Sequence, residues 1–221
     1  MAKKSLSMKV VVLLMAAVLL IGCSVGGTLA WLIANSETVT NTFVVGDINI
    51  ELKEHELNAE GKVDKDAAGN ITAAEIDSTT TTYKVLPGTS QVKDPFVRVK
   101  ANSENCWVFV QVKETNNLAD SATNLKYVTW VVDGAWEELS TENGVSTYYK
   151  KVNHVLSDKE AIYPILSGDT VSYSENLTKT MVEALGNNQP QLIFKAFAVQ
   201  EEAATTAEGA WAKVDTDAKL G

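Results

Sequence analysis

Residues 105–112, Asn105-Cys106-Trp107-Val108-Phe109-Val110-Gln111-Val112, form the stretch that decides the fold. Its first half is apolar on both faces, and its second half alternates apolar and polar side chains. A short run of this kind is typical of a β-strand, and apolar side chains on both faces indicate that the strand is covered on both sides. We therefore expect residues 107–112 to lie centrally in a sheet.

Alternation with a period of two recurs on both sides of this stretch. Ile48, Ile50 and Leu52 alternate with polar residues, as a strand with one solvated face requires. Val97 and Val99 follow the same pattern. The remaining predicted strands are 127–132, 145–152, 161–166, 170–174 and 191–199.

Turn signals separate the predicted strands. Asp133-Gly134 and Asn143-Gly144 are the sharpest, because both favour the positive φ angles of tight hairpins. Many short strands with repeated turns predict an all-β, antiparallel β-sandwich. A short helix is expected at 180–185, and a short C-terminal helix or a frayed tail at 203–214. In the latter, apolar residues recur at three- and four-residue spacing, at Ala207, Ala210, Trp211 and Val214.

The N-terminus has the anatomy of an export signal. Three lysines precede residue 10, no charged residue occurs from 10 to 36, and residues 10–21 form an apolar block. Thr28 and Ala30 form a small-x-small cleavage site. Cleavage after Ala30 would give a mature chain that begins at Trp31. A lipobox at 20–23, which would lipidate Cys23, and an uncleaved membrane helix over roughly residues 10–33 are the alternatives.

Several stretches resemble one family of exported proteins. They are 26–32 (Gly-Gly-Thr-Leu-Ala-Trp-Leu), 41–50 (Asn-Thr-Phe-Val-Val-Gly-Asp-Ile-Asn-Ile), 84–88 with 93–95, and 105–110. They are similar to the TasA and camelysin relatives of Gram-positive bacteria, which a SipW-type signal peptidase processes. The resemblance is specific over 22–52, moderate over 84–113 and loose thereafter. It implies a jelly-roll domain secreted to the cell surface, with family members that form biofilm-matrix fibres.

Charge and length restrict the function classes. Residues 1–30 carry three lysines and no acid, so their removal changes the formal charge from −9 to −12. The remaining residues, 31–221, suit one secreted domain with a polar loop at 54–82. An acidic chain is a poor match for nucleic acid, which requires a basic face. Membrane contact is expected only through the N-terminal segment before cleavage.

Cysteine usage predicts a fold without internal disulfides. After cleavage only Cys106 remains, and one cysteine cannot form an intramolecular bridge. Its apolar neighbours indicate a buried thiol in a strand, which is the common fate of a free cysteine.

The sequence offers one candidate calcium motif. Residues 64–75 place Asp64 and Asp66 at loop positions one and three, Gly69 at six and Glu75 at twelve, as in an EF-hand loop. Position five, however, is Ala68, and no amphipathic helix leads into the loop. We therefore favour an acidic, solvated loop over a calcium site.

Catalytic motifs are absent. The predicted mature chain has two histidines, His55 and His154, and neither lies in a His-Glu-x-x-His zinc motif. The missing zinc motif matters for the family resemblance, because camelysin relatives have been described as metalloproteases. No nucleophile elbow or phosphate-binding glycine loop is present. We therefore predict no enzymatic activity, no catalytic residues, no bound metal and no cofactor.

Two short features have ordinary explanations. Residues 86–90, Leu-Pro-Gly-Thr-Ser, are similar to a sortase signal but end in serine, lie mid-chain, and are interpreted as a turn that ends a strand. A set of aromatic residues could line a carbohydrate-binding face, although at strand spacing packing is the commoner role. The set is Trp107, Trp130, Trp136, Tyr148, Tyr149 and Tyr163.

These observations favour a secreted, non-enzymatic structural protein of the cell surface or extracellular matrix. The strand near the new N-terminus is expected to complete a neighbour's sheet by strand donation, with self-association set by Phe43, Val45, Ile48 and Ile50. The alternative is a membrane-displayed module that binds sugar or cell wall. A camelysin-like metalloprotease is the third hypothesis.

Overall fold

The computed structural model describes residues 33–36, 48–77, 85–153 and 158–221. These residues form antiparallel β-sheets with two short α-helices, so the described part of the chain is all-β. The helices are α1 (Lys179–Ala184) and α2 (Ala207–Trp211). The strands are β1 (Ile33–Ser36), β2 (Ile50–His55), β3 (Glu75–Asp77), β4 (Ser90–Val92), β5 (Phe96–Val99), β6 (Cys106–Thr115), β7 (Leu118–Asp120), β8 (Leu125–Lys126), β9 (Val128–Thr129), β10 (Glu137–Glu142), β11 (Val145–Val152), β12 (Ala161–Pro164), β13 (Thr170–Tyr173) and β14 (Gln191–Gln200).

The largest sheet has five strands in the order β1-β14-β6-β11-β10. β6 is the middle strand, and its register runs from Cys106 opposite Gln200 to Thr115 opposite Gln191 on β14. On its other side β6 pairs with β11. This position confirms that the apolar stretch at 107–112 is central, and its side chains enter apolar clusters on both faces of the sheet.

The second layer is built from two smaller sheets, β12-β5-β2-β3 and β4-β13-β9. Backbone hydrogen bonds connect them where β4 leads into β5 and β12 leads into β13. Lys93 N donates to Asp169 O at 2.8 Å, and Ile165 N donates to Pro95 O at 2.8 Å. β7 and β8 form a separate hairpin.

Two apolar clusters hold the fold together. The larger lies between the layers and joins Val97, Val99 and Ile165 to Val108 and Val110 of β6. The smaller lies on the opposite face of the five-stranded sheet, where the C-terminal segment covers Trp107, Phe109, Phe197 and Val199. Trp107 Nε1 also donates to Ala204 O at 3.0 Å.

Both predicted helices form: α1 has the predicted length and begins one residue earlier, whereas the C-terminal helix is shorter than expected. Ala207, Ala210 and Val214 are buried against the five-stranded sheet, and Trp211 packs beside them. The apolar spacing therefore predicted the buried face correctly. α2 nevertheless ends at Trp211, and Glu201–Ala203 forms a separate 3₁₀ turn.

The two sharpest turn signals behave differently. Asn143 and Gly144 adopt φ angles of 52° and 78° between β10 and β11, as a tight hairpin requires. Gly134 does not enter the positive-φ region, so the prediction of a tight hairpin at Asp133-Gly134 is wrong. Instead, Trp136 N donates to Asp133 O at 3.1 Å in an ordinary turn.

The predicted strand at 127–132 is interrupted. β9 covers only Val128–Thr129, and Val132 forms a single bridge with Leu166. The Asn117 side chain accepts from Val128 N at 2.7 Å and donates to Val128 O at 2.8 Å. The Asn117 amide thus satisfies the backbone groups of Val128 as a neighbouring strand would, while β9 pairs with β13.

The predicted polar loop at 54–82 is smaller than expected in the part that the structure describes. Glu54 and His55 belong to β2, and β3 returns to pair with them at Ile76 and Glu75. Isolated β-bridges hold the segment between these two strands in place.

The predicted signal at residues 1–30 lies outside the described residues. Within the described ranges, no helix is long and apolar enough to cross a membrane.

Candidate functional site at the edges of the five-stranded sheet

The N-terminal strand forms one edge of the five-stranded sheet. β1 pairs antiparallel with β14, from Ile33 opposite Val199 to Ser36 opposite Ala196. β14 has ten residues, and the four-residue β1 accompanies only one end of it. The four residues of β1 carry no charge. Edge strands present backbone donors and acceptors that a further strand can use.

The opposite edge of the same sheet is protected by charge. β10 carries Glu137, Glu138 and Glu142, and all three are exposed. If the β10 edges of two molecules met, carboxylates would lie opposite carboxylates, which disfavours strand pairing. Among the described strands of this sheet, the uncharged edge is therefore at β1.

The structure describes two of the four residues that were predicted to mediate assembly. Ile48 and Ile50 are 1% and 4% exposed and lie in the core of their own chain. Ile50 also pairs with Val99 on β5. Phe43 and Val45 lie outside the described residues, as do the predicted cleavage-site residues Thr28, Ala30 and Trp31.

A buried ion pair lies next to this part of the core. Lys93 Nζ contacts Glu54 Oε1, and both side chains are almost completely buried. Glu54 follows Ile50 and Leu52 in the period-two pattern, so β2 directs it inward. The Lys93 ammonium also lies 5.4 Å from the centre of the Phe194 ring on β14.

The neighbouring residues form a second polar pair on the other side of the strand. His55 Nδ1 lies 2.6 Å from Asp94 Oδ2, and His55 N donates to Asp94 Oδ1 at 3.2 Å. The imidazole stacks on Phe96, with 4.9 Å between ring centres. Burial raises the pKa of the nearby Asp169 carboxyl, and the negative charge of Asp94 raises this pKa further. This pairing fixes the ring of His55 and the end of β2.

Arg98 organises a charge network on the face of the second layer that is turned away from the core. Its Nη1 donates to Glu75 Oε2 at 2.7 Å and to Glu51 Oε2 at 3.2 Å. Glu160 Oε2 lies 3.0 Å from Nε as a charge contact. The hydrogen bond to Glu75 raises the pKa of Arg98 and lowers the pKa of the Glu75 carboxyl. Lys100 adds contacts to Glu51 at 2.9 Å and to Glu160 at 3.1 Å.

The predicted calcium loop has other hydrogen-bond partners. Asp64 Oδ1 accepts from Asn58 Nδ2 at 2.6 Å, and Asp66 accepts from the backbone and side chain of Asn70. Glu75, which would close a calcium site at loop position twelve, is bound to Arg98. In the described ranges, no three His, Cys, Asp or Glu side chains converge as a metal site requires. His154 lies outside those ranges.

The predicted buried thiol is confirmed. Cys106 is fully buried in β6, and burial raises its pKa to about 12. A thiol with such a pKa is neutral at physiological pH and is a poor nucleophile.

The aromatic set packs in separate pairs instead of lining one face. Trp107 lies against Tyr149, Trp130 meets Tyr148 edge-on at 6.2 Å, and Trp136 meets Tyr163 edge-on at 6.4 Å. Trp107, Trp136 and Tyr148 are buried, and the other three are half-buried. Packing therefore accounts for these residues.

Residues 86–89 form the expected turn. Gly88 has a φ of 74°, and Thr89 N donates to Leu86 O at 3.2 Å. Pro followed by a positive-φ Gly fits a type II turn.

Comparison with protein-family models, with curated proteins and with solved structures finds no match to the chain.

Sequence reasoning missed the polar residues that the fold brings together. The inward position of Glu54 could have been predicted, because it continues the alternation of Ile48, Ile50 and Leu52. Its contact with Lys93 could not, since no local signal relates residues so far apart in the sequence.

Proposed function

We propose that the chain is a secreted, non-enzymatic structural protein of the Gram-positive cell surface or extracellular matrix. In this proposal a SipW-type peptidase removes residues 1–30, and the mature domain is a jelly-roll sandwich. The position of β1 carries the proposal, because Ile33–Ser36 lies just after the predicted cleavage site and forms the uncharged edge of a sheet.

Assembly follows from exchange of this strand. Before cleavage, membrane attachment restrains the chain immediately ahead of β1. After cleavage the free segment can pair with β14 of a second subunit in the register that it uses in its own subunit. Main-chain hydrogen bonds would supply affinity, and the ten residues of β14 offer more pairing length than β1 uses.

The buried positions of Ile48 and Ile50 limit how much of the chain exchanges. Moving either residue would open the core between the layers, at a cost of about 2 kcal/mol or more for each buried side chain. Exchange of β1 alone leaves both side chains in place. Phe43 and Val45 then belong to the connection between subunits, and Ile48 and Ile50 anchor it.

Electron microscopy of the mature protein tests the function. The proposal predicts fibres or ordered layers from protein that begins at Trp31. Protein that remains monomeric at high concentration and binds a sugar on a glycan array would instead support the membrane-displayed sugar- or wall-binding module.

A further inference from the structure

Glu54 and Lys93 are the most deeply buried oppositely charged pair among the described ion pairs. Their side chains are 2% and 5% exposed. Burial on this scale is expensive, because each group loses the hydration that stabilises its charge. The contact between Lys93 Nζ and Glu54 Oε1 therefore holds an amine and a carboxyl group together where bulk water is excluded.

The backbone fixes both residues. Glu54 lies in β2 and pairs with Ile76 on β3. Lys93 lies between β4 and β5, and its N–H donates to Asp169 O at 2.8 Å. Phe194 of the five-stranded sheet covers the ammonium. Two groups held in this way react at a high effective concentration, since little orientational freedom remains to be lost.

From this geometry we infer that Lys93 and Glu54 are joined by an intramolecular amide (isopeptide) bond. The ammonium first transfers a proton to the carboxylate, which gives a neutral amine and a neutral carboxylic acid. Low polarity favours this transfer, because it removes both charges. The lone pair of Nζ then attacks Cδ of Glu54, and the carboxyl C–O bond breaks. One water molecule leaves, made of the carboxyl OH and one amine hydrogen.

The bond would act as a covalent staple within the second layer. It would connect β2, which follows the N-terminal segment, to the connection between β4 and β5. Because residues 31–221 contain Cys106 as their single cysteine, a disulfide cannot serve this purpose. An amide is also chemically stable to reduction.

Intact mass spectrometry of the purified chain, with its N-terminus established by sequencing, tests the inference. The expected mass is lower than that of the sequence by one water molecule. Trypsin should release a branched peptide that joins residues 54–62 to residues 85–98, with no cleavage after Lys93. A folded chain of unmodified mass that yields separate peptides cut after Lys93 would overturn the inference.

Two variants locate the dehydration. Lys93→Arg keeps a positive charge but cannot form the lysine amide, so its mass should match its sequence. Lys100→Arg, in a more exposed ion pair, should still lose one water. Loss of water that persists in Lys93→Arg would contradict the assignment and would point to another site, such as a cyclic imide at Asp133-Gly134. If Lys93→Arg does not fold, the branched peptide of the unsubstituted chain still decides the question.

Discussion

Ile33, the third residue of the predicted mature chain, pairs with Val199 at the edge of the five-stranded sheet. Cleavage after Ala30 would therefore release a strand that already has a defined place in the fold. The opposite edge, β10, bears three exposed glutamates, so the sheet is asymmetric in its capacity to add strands. In the proposed assembly, this asymmetry would favour the addition of a strand at the β1 edge.

Processing should follow the small-x-small site. We expect Edman sequencing of the secreted protein to begin at Trp31, and replacement of Ala30 by Phe to leave the precursor in the membrane. Cys23→Ala serves as the control and should not alter the start. A mature chain that begins at a lipidated Cys23 would refute cleavage at Ala30.

Arg98 should contribute to stability through its partly buried hydrogen bonds to Glu51 and Glu75. Arg98→Met leaves Glu51 and Glu75 without this partner, and we expect the free energy of unfolding to fall by about 1–3 kcal/mol at neutral pH. Lys53→Met removes an ion pair whose Asp77 is half exposed, so its effect should be about 0–1 kcal/mol. Urea titrations measure both, and equal effects would contradict the difference in burial.

The same variant should show a defined pH dependence. The pKa of Glu75 is lower in the folded state than its ordinary value of 4.5. A carboxyl with a depressed folded pKa contributes stability that is present above its unfolded pKa and is lost as the pH falls through its folded pKa. The difference between the original chain and Arg98→Met should therefore shrink below pH 4.5. A difference that grows on acidification would contradict this account.

The two glycine turns offer a matched test of backbone conformation. Neither Gly144 nor Gly134 has an atom within 4 Å of an added Cβ, so steric contact is equal at both positions. Gly144 has a φ of 78°, and Gly144→Ala should lower the free energy of unfolding by about 1–2 kcal/mol. Gly134→Ala should be neutral or stabilise by up to about 1 kcal/mol. Gly144→Ala should therefore have a lower melting temperature than Gly134→Ala, and similar values would contradict this account.

Calcium should leave the melting temperature unchanged. Asp64, Asp66 and Glu75 are engaged by Asn58, Asn70 and Arg98, and Ala68 supplies no side-chain oxygen to the loop. Glu75→Gln should lower the melting temperature equally with and without Ca²⁺, because it weakens the Arg98 network. A calcium-dependent rise that Glu75→Gln abolishes would establish a metal site at residues 64–75.

Local patterns predicted the parts of the fold that local chemistry decides. The central strand follows from the apolar faces of 107–112, the Asn143-Gly144 hairpin from backbone preference, and the C-terminal packing from the spacing of Ala207 and Ala210. β10 escaped prediction because Glu-Glu-Leu-Ser-Thr-Glu has no apolar alternation, and its strand conformation depends on pairing with β11.

The polar contacts could not be predicted for a related reason. Arg98 meets carboxylates from Glu51, Glu75 and Glu160, which come from three different parts of the chain. Alternation assigned Arg98 to a solvated face, whereas these partners bury it. Only tertiary structure brings such groups together. The sequence therefore indicates on which face of the strand Arg98 lies, but not which residues cover that face.

Deletion of residues 31–46 from the mature protein tests the central claim of strand exchange most directly. The truncated chain keeps Ile48 and Ile50 in the core but lacks β1, and a control replaces the same residues by a Gly/Ser segment of equal length. Sedimentation and electron microscopy should show fibres from the chain that begins at Trp31, and folded, soluble monomers from both altered chains. Fibres of unchanged form from the truncated chain would contradict assembly through β1.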